Sequence, residues 1–172
     1  MCIISADAEN CYDRVHRGIT ALVFKDLGVN KGSVLAMLQS IQLMKFFLRT
    51  GWGDSLPSIG GDIIRILHVI FQGNGAAPVA WIMLSSVLVV IYKNLGYGIK
   101  VKSPMTLVLL SIMGVFFVDN TDLFIMSENI KPRQEIWEEA QRPLTVWGKL
   151  LIATGGMLKP EMFLLPHRLR ME

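Results

Sequence analysis

The alternation of apolar and polar residues along the first half of the chain predicts both strands and helices. Residues 2–6 form a short apolar segment that is typical of a buried strand. Apolar residues at helical spacing predict a helix from Val15 to about Leu27 and another from Val34 to Leu48. The stretch Arg49–Asp62 is rich in turn-forming residues and predicts a loop or hairpin. A further strand is predicted at Ile63–Phe71.

The second half of the chain continues this mixture. A helix is predicted after Pro78, because proline is tolerated in the first turn of a helix. A turn and a short strand are predicted at Leu95–Ser103, followed by two β-rich pieces that form a hairpin around Asp119. A polar helix is predicted from Arg133 to about Thr154, and "ATGG" ends it before a strand-like tail that closes on basic residues.

Composition limits the class of protein. The 172 residues suit one domain, but 52% of them are hydrophobic, only 18% are charged, and the mean hydropathy is +0.44. The longest uncharged runs, Gly73–Tyr92 and Ser103–Val118, raise the alternative of a small membrane protein, since a span needs about 20 apolar residues. The first run contains Gly, Asn, Pro and Ser, and the second is short and ends at Asp119, so we favour a core that normally packs against missing neighbours and expect no membrane partner.

Charge and cysteine content point to an intracellular protein. The net charge of +3 and the pI near 9.0 permit contact with nucleic acid without requiring it. Cys2 and Cys11 are too far from the histidines to suggest a zinc site, so we expect reduced thiols. The first ten residues lack the basic region of a secretion signal. The expected location is the nucleus or the cytoplasm.

Two carboxylates occupy positions suited to metal-dependent chemistry. Asp7 follows the first predicted strand, and Asp119 lies between two β-rich pieces. Transfer of phosphoryl groups by two divalent ions needs carboxylates from separate segments that hold the ions about 3.5–4 Å apart. Taken alone, Asp7 is more simply a helix cap and Asp119 a turn residue. The wider pattern of motifs decides between these interpretations.

Four segments are informative because of the order in which they occur along the chain: "SADAENCYDRV", "QGNGAAPVAW", "FFVDNTD" and "ATGGMLKPE". They resemble motifs A, B, C and D of reverse transcriptases. Their amino-acid sequences are most similar to those of retrotransposon-encoded enzymes from eukaryotic genomes. The resemblance extends over nearly the whole chain. It implies an α+β polymerase palm with a mainly antiparallel sheet and helices on one face. Residues 1–172 would form a fragment of the domain, with part of the fingers at about residues 15–70 and with no full fingers or thumb.

The resemblance also implies a role for each matching residue. Asp7 and Asp119 would bind Mg²⁺ or Mn²⁺ and, with Asn120, form the catalytic set. Tyr12 stands where an aromatic ring would exclude a 2′-hydroxyl and so select deoxynucleotides. The implied partners are an RNA template, a DNA primer and dNTPs. The residues expected to bind the nucleotide are Asn10, Cys11, Tyr12, Gln72 and Gly73.

Two positions depart from the family pattern. Asn120 stands where a second aspartate is expected in motif C, and an amide brings no charge to a metal site. Met162 replaces the lysine usual in motif D, while Lys159 lies three residues earlier. We therefore expect an RNA-directed DNA polymerase with weakened activity. The alternatives are a degenerate remnant that keeps the fold without useful catalysis and, less favoured, the small membrane protein.

Overall fold

The computed structural model describes residues 2–60, 75–125 and 132–166. The predicted strand Ile63–Phe71 lies outside these ranges. Within them are ten strands and five helices, which follow one another in the order β1 (Cys2–Ala8), α1 (Cys11–Arg14), α2 (Arg17–Asp26), α3 (Lys31–Gln42), β2 (Lys45–Phe46), β3 (Arg49–Thr50), β4 (Gly53–Asp54), β5 (Ile59–Gly60), α4 (Ala77–Asn94), β6 (Ile99–Lys102), β7 (Leu109–Ile112), β8 (Gly114–Phe117), β9 (Asn120–Ile125), α5 (Arg133–Ala153) and β10 (Leu158–Pro166).

Four strands form the central sheet, in the order β10-β1-β9-β8, and every pairing in it is antiparallel. The first strand therefore lies in the interior of the sheet, between two strands that come from the second half of the chain. The other strands form three two-stranded pairs, β2 with β5, β3 with β4, and β6 with β7. The expected α+β class with an antiparallel sheet is confirmed.

The two faces of the central sheet differ in burial. Along β1 the even-numbered residues Ile4, Ala6 and Ala8 are buried, whereas Ser5 and Asp7 on the other face are partly exposed. Successive residues of a strand point to opposite faces, so this alternation defines a covered face and an open face. The side chains on the covered face pack in one hydrophobic core with residues of α4 and α5. This packing confirms the prediction of helices on one face of the sheet.

Two predicted helices appear as α2 and α3, but α3 ends earlier than expected. Asn30 caps its first turn by accepting a hydrogen bond from the Gly32 N–H at 2.7 Å. The prediction that the helix continues to Leu48 is wrong, since the chain leaves the helix at Leu43 and then forms β2. The apolar residues of this stretch keep a spacing that suits a helix, and the strand depends on pairing with β5, which the local pattern does not reveal.

The long helix α4 begins at Ala77 with Pro78 in its first turn, as predicted. Trp81, Leu84 and Tyr92 are among its residues that are buried in the core. By length and composition α4 is also apolar enough to cross a membrane, with 33% of the residues in its most apolar stretch buried. The other uncharged run contains β7 and β8 instead of a helix, so only one of the two candidate spans is helical.

Backbone hydrogen bonds join the turn after α5 to the segment that follows β1. The His16 N–H donates to the carbonyl of Thr154 and the Glu9 N–H to that of Met157, both at 2.8 Å. Gly155 has a φ of 94°, and a Cβ there would overlap with the carbonyl oxygen of Arg14. Only glycine fits such a left-handed position at so close an approach. The glycines of "ATGG" thus serve packing as well as helix termination.

Candidate active site

Asp7 and Asp119 lie at the same end of the central sheet. Asp7 is the Cα partner of Asn120 across the β1–β9 pair. The N–H of the next residue, Ala8, donates to the backbone carbonyl of Asp119 at 2.8 Å. The end of one strand is therefore fixed beside the turn that begins the other, although the two segments are far apart in sequence.

Asp119 is part of the tight turn between β8 and β9. Val118, just before it, has a φ of 54°, which is a strained conformation for a β-branched residue. Trp81 on α4 donates its indole Nε1–H to the Val118 carbonyl and so ties the turn to the helix. Surrounding structure has to stabilise a strained residue, and this hydrogen bond does so from the covered side of the sheet.

The carboxylate of Asp7 has two different oxygens. Oδ2 forms an ion pair with the Nζ of Lys159 on β10. Oδ1 is buried and has no hydrogen-bond partner within the described residues. A buried carboxylate oxygen without a partner is costly, and a divalent cation is one group that would satisfy it. The donor set at Asp7 and Asp119 fits a hard oxygen-seeking ion, because Mg²⁺ commonly takes one or two protein carboxylates and completes its shell with water and phosphates.

The third position of the expected set is neutral. Asn120 directs its amide Nδ2 toward Oδ1 of Asp119 at 3.4 Å. An aspartate there would repel that oxygen and would itself attract a cation. In the part of the chain that is described, no group of three or more His, Cys, Asp or Glu residues is placed to hold a metal. The site therefore contains two carboxylates and one neutral amide.

The turn after β1 brings the predicted nucleotide residues next to these carboxylates. Asn10 adopts a left-handed conformation with φ 47° and begins α1, so the role of helix cap falls to it and not to Asp7. Cys11 is buried, and Tyr12 is half-buried with its ring edge-on to Trp81 at 6.3 Å between centroids. Tyr12 thus lies between the strand end and α4.

The buried thiol of Cys11 is affected by the negative charge of both carboxylates. Burial, followed by the negative charge of Asp119 and smaller effects that include Asp7, raises the pKa of the Cys11 thiol to about 11. Burial and then Cys11 and Asp119 raise the pKa of Tyr12. Both carboxylates therefore act on the same buried thiol, which keeps its proton at neutral pH.

The structure brings most of the predicted site residues together. Asp7, Asn10, Cys11 and Tyr12 surround the end of β1, and Asp119 with Asn120 lies on the neighbouring strand. Gln72 and Gly73 lie outside the described residues, so their predicted role beside the nucleotide stays a prediction.

Two residues at the site were not given a role by the sequence. In the sequence, Trp81 is one of many apolar residues in an apolar helix. The neighbouring residues in the sequence do not indicate its contact with Val118 or Tyr12. In the sequence, Lys159 is distinguished only by lying three residues before Met162, which replaces the usual lysine of motif D. Its ion pair with Asp7 depends on the register of β10 against β1, which no short-range pattern carries.

Comparison with known proteins supports the fold. No protein-family model matches the chain, and neither does any curated protein sequence. The chain is similar to a solved structure of telomerase from Candida albicans in complex with a TWJ fragment of telomeric RNA, with a TM-score of 0.57 and 15% sequence identity. The match covers 96% of this chain and 27% of the telomerase chain. At this identity the similarity shows a shared fold.

Proposed function

We propose that this chain is the palm of an RNA-directed DNA polymerase of a retroelement, which adds dNTPs to a primer 3′-hydroxyl. The observation that carries the proposal is the pairing of Asp7 with Asn120, which brings the backbone of Asp7 next to the hairpin turn that contains Asp119. Metal-dependent transfer of nucleotides requires two such carboxylates from separate segments. The order of the four sequence motifs supports the same assignment.

The structural neighbour supports the choice of partners. Telomerase in that structure is bound to RNA, and a shared fold makes an RNA template and a DNA primer reasonable ligands for this chain. The net charge of +3 is compatible with binding to phosphate backbones. The chain spans about a quarter of the telomerase chain, so template, primer and activity are assigned here as part of the proposal.

The proposed reaction is attack of the primer 3′-hydroxyl oxygen on the α-phosphorus of a dNTP. The bond from the α-phosphorus to the bridging oxygen breaks, pyrophosphate leaves, and the hydroxyl proton is lost. Bound Mg²⁺ or Mn²⁺ would supply Lewis-acid stabilisation of the phosphate charge. Asp7 and Asp119 hold negative charge at a fixed place, and the antiparallel pair beneath them keeps that place rigid.

Tyr12 is assigned to the choice of sugar. It is half-buried, and its contact with Trp81 restricts the ring to the neighbourhood of the strand end. A fixed ring selects by steric exclusion, because a 2′-hydroxyl would have to occupy the same space. A deoxyribose lacks that oxygen, so the proposed substrate is a dNTP.

A second candidate is a remnant that keeps the fold without catalysis. Two observations favour it: the neutral amide of Asn120 in place of an acid, and the ammonium of Lys159 on one oxygen of Asp7. Both lower the negative charge that is available to a metal ion. The two candidates share a structure and differ only in turnover.

Primer extension separates the candidates. With dNTPs and Mn²⁺ we expect feeble extension by the wild-type chain and a rise of about tenfold in Asn120→Asp, equal to ~1.4 kcal/mol. Asp7→Asn should abolish extension, since it removes one of two charged ligands. The matched control is Asp122→Asn, which loses the same charge on the same open face, one pair of strand positions from Asp7.

Circular dichroism and thermal melting are used to check that each variant is folded. If neither the wild-type chain nor Asn120→Asp extends a primer at high Mn²⁺ while both are folded, the polymerase assignment is wrong and the remnant is favoured. Equal losses in Asp7→Asn and Asp122→Asn would contradict the specific role of Asp7.

A further inference from the structure

Lys159 is placed beside Asp7 by an irregularity in the central sheet. Ala6 pairs with Met162, but two residues later Ala8 pairs with Leu158, so three residues of β10 lie opposite the single residue Asp7. Such bulges commonly redirect a side chain. Lys159 is within this bulge, and its ammonium contacts Asp7 Oδ2.

The ion pair lies at the carboxylates of the site. The side chain of Asp7 is 29% exposed and that of Lys159 is 43% exposed, so both are partly shielded from water. Two neighbouring carboxylates without a cation repel one another. An ammonium at this position supplies positive charge where a divalent ion would otherwise supply it.

We propose that Lys159 is the internal counter-ion of the cation site: it holds Asp7 when no divalent ion is bound, and the ion enters by displacing it. This inference rests on the proposed function, since it concerns the same two carboxylates. Oδ1 of Asp7 is buried without a hydrogen-bond partner in the described part of the chain, so the ammonium on Oδ2 is the contact that an entering ion has to replace. The ammonium then leaves Oδ2, because it is repelled by the entering cation.

Binding of Mn²⁺ to the whole chain, measured from the signal of free Mn²⁺ in electron paramagnetic resonance, tests the proposal without turnover. Lys159→Met should bind Mn²⁺ about tenfold more tightly than the wild-type chain. Lys159→Arg keeps the charge and should bind as weakly as the wild-type chain. Lys149→Met removes the same charge from an exposed position on α5 and should leave the affinity unchanged.

A second measurement follows the ammonium itself. In the wild-type chain, Mn²⁺ should increase acylation of Lys159 by an amine-reactive reagent, detected by mass spectrometry, while acylation of Lys149 stays constant. In Asp7→Asn the added Mn²⁺ should have no effect on either lysine.

The outcomes separate this inference from the proposed function. Tighter Mn²⁺ binding by Lys159→Met supports the counter-ion even if no variant extends a primer. An affinity of Lys159→Met equal to that of the wild-type chain overturns it, whether or not the chain polymerises. A fall in thermal stability of Lys159→Met without a change in affinity would also overturn it, because the ion pair would then be only structural.

Discussion

The two faces of the central sheet differ in environment: one packs in the hydrophobic core and the other carries the residues of the proposed site. On the covered face, Ile4, Ala6 and Leu123 are almost completely buried and belong to the core with α4 and α5. On the open face, the partners Asp7 and Asn120 leave polar groups accessible. The same strands supply both faces, so a functional residue and a core residue are often immediate neighbours. The effect of a substitution is therefore better predicted by the face of the sheet on which the residue lies than by its position in the sequence.

The largest expected effect is on the covered face. Trp147 on α5 is 1% exposed, and its ring lies 5.6 Å from that of Tyr92 and 5.2 Å from that of Phe116. Trp147→Ala should lower the free energy of unfolding by about 3–5 kcal/mol, because it leaves a large cavity. Urea denaturation measures the change.

The control for that substitution is Trp52→Ala. Trp52 is fully exposed, between β3 and β4, so its loss should change the free energy of unfolding by less than about 0.5 kcal/mol. Similar losses in the two variants would mean that the covered face does not hold the core as described.

A smaller effect, on selectivity alone, is expected beside the open face. Tyr12→Val should let a chain that polymerises accept ribonucleotides about tenfold better relative to dNTPs, equal to ~1.4 kcal/mol, because the ring that excludes the 2′-hydroxyl is gone. Paired primer-extension assays with each class of nucleotide measure the ratio. Tyr97→Val is the control, since Tyr97 stacks on Tyr92 near the other end of α4. An unchanged ratio in Tyr12→Val would contradict the assignment of Tyr12 to the exclusion of the 2′-hydroxyl.

The smallest effect concerns a buried hydroxyl of the core. Burial, and then Tyr97, raises the pKa of Tyr92 above its usual value of 10.0, and its hydroxyl has no hydrogen-bond partner in the described residues. A raised pKa in the folded state means that this group's contribution to stability is complete below pH 10 and is lost as the pH rises further. Tyr92→Phe should therefore flatten the alkaline limb of a plot of stability against pH. At neutral pH it should change the free energy of unfolding by about 1 kcal/mol or less, since no hydrogen bond is lost.

Urea denaturation at a series of pH values checks this last prediction. An alkaline limb that is as steep in Tyr92→Phe as in the wild-type chain would contradict the assignment of that limb to Tyr92.

The sequence predicted the parts of the fold that follow from local pattern. The helices at α2, α4 and α5 and the hairpin around Asp119 were all expected from periodicity and turn residues. The early end of α3 was missed because β2 is only two residues long and exists through its pairing with β5. The spacing of apolar residues within a short segment cannot reveal that the segment pairs with a strand more than ten residues away.

The candidate site was predictable through motifs and not through geometry. Asp7, Tyr12 and Asp119 were found because they match motifs whose order is informative. Trp81 and Lys159 were not assigned, since each acts through a contact that forms only in the folded chain. A tryptophan in an apolar helix and a single lysine in a strand are both common, and neither has a distinctive neighbour in sequence.

The position of β1 in the sheet has a consequence for biosynthesis. Because β1 is inserted between β9 and β10, each of its edges stays unpaired until the partner strand, more than 100 residues later in the sequence, has left the ribosome. Contacts between such distant segments make folding slow, and an apolar strand with two open edges invites pairing with other molecules. Pairing of β1 during synthesis therefore waits first for β9 and then for β10, and the second edge of β1 is covered only when β10 adds to the sheet.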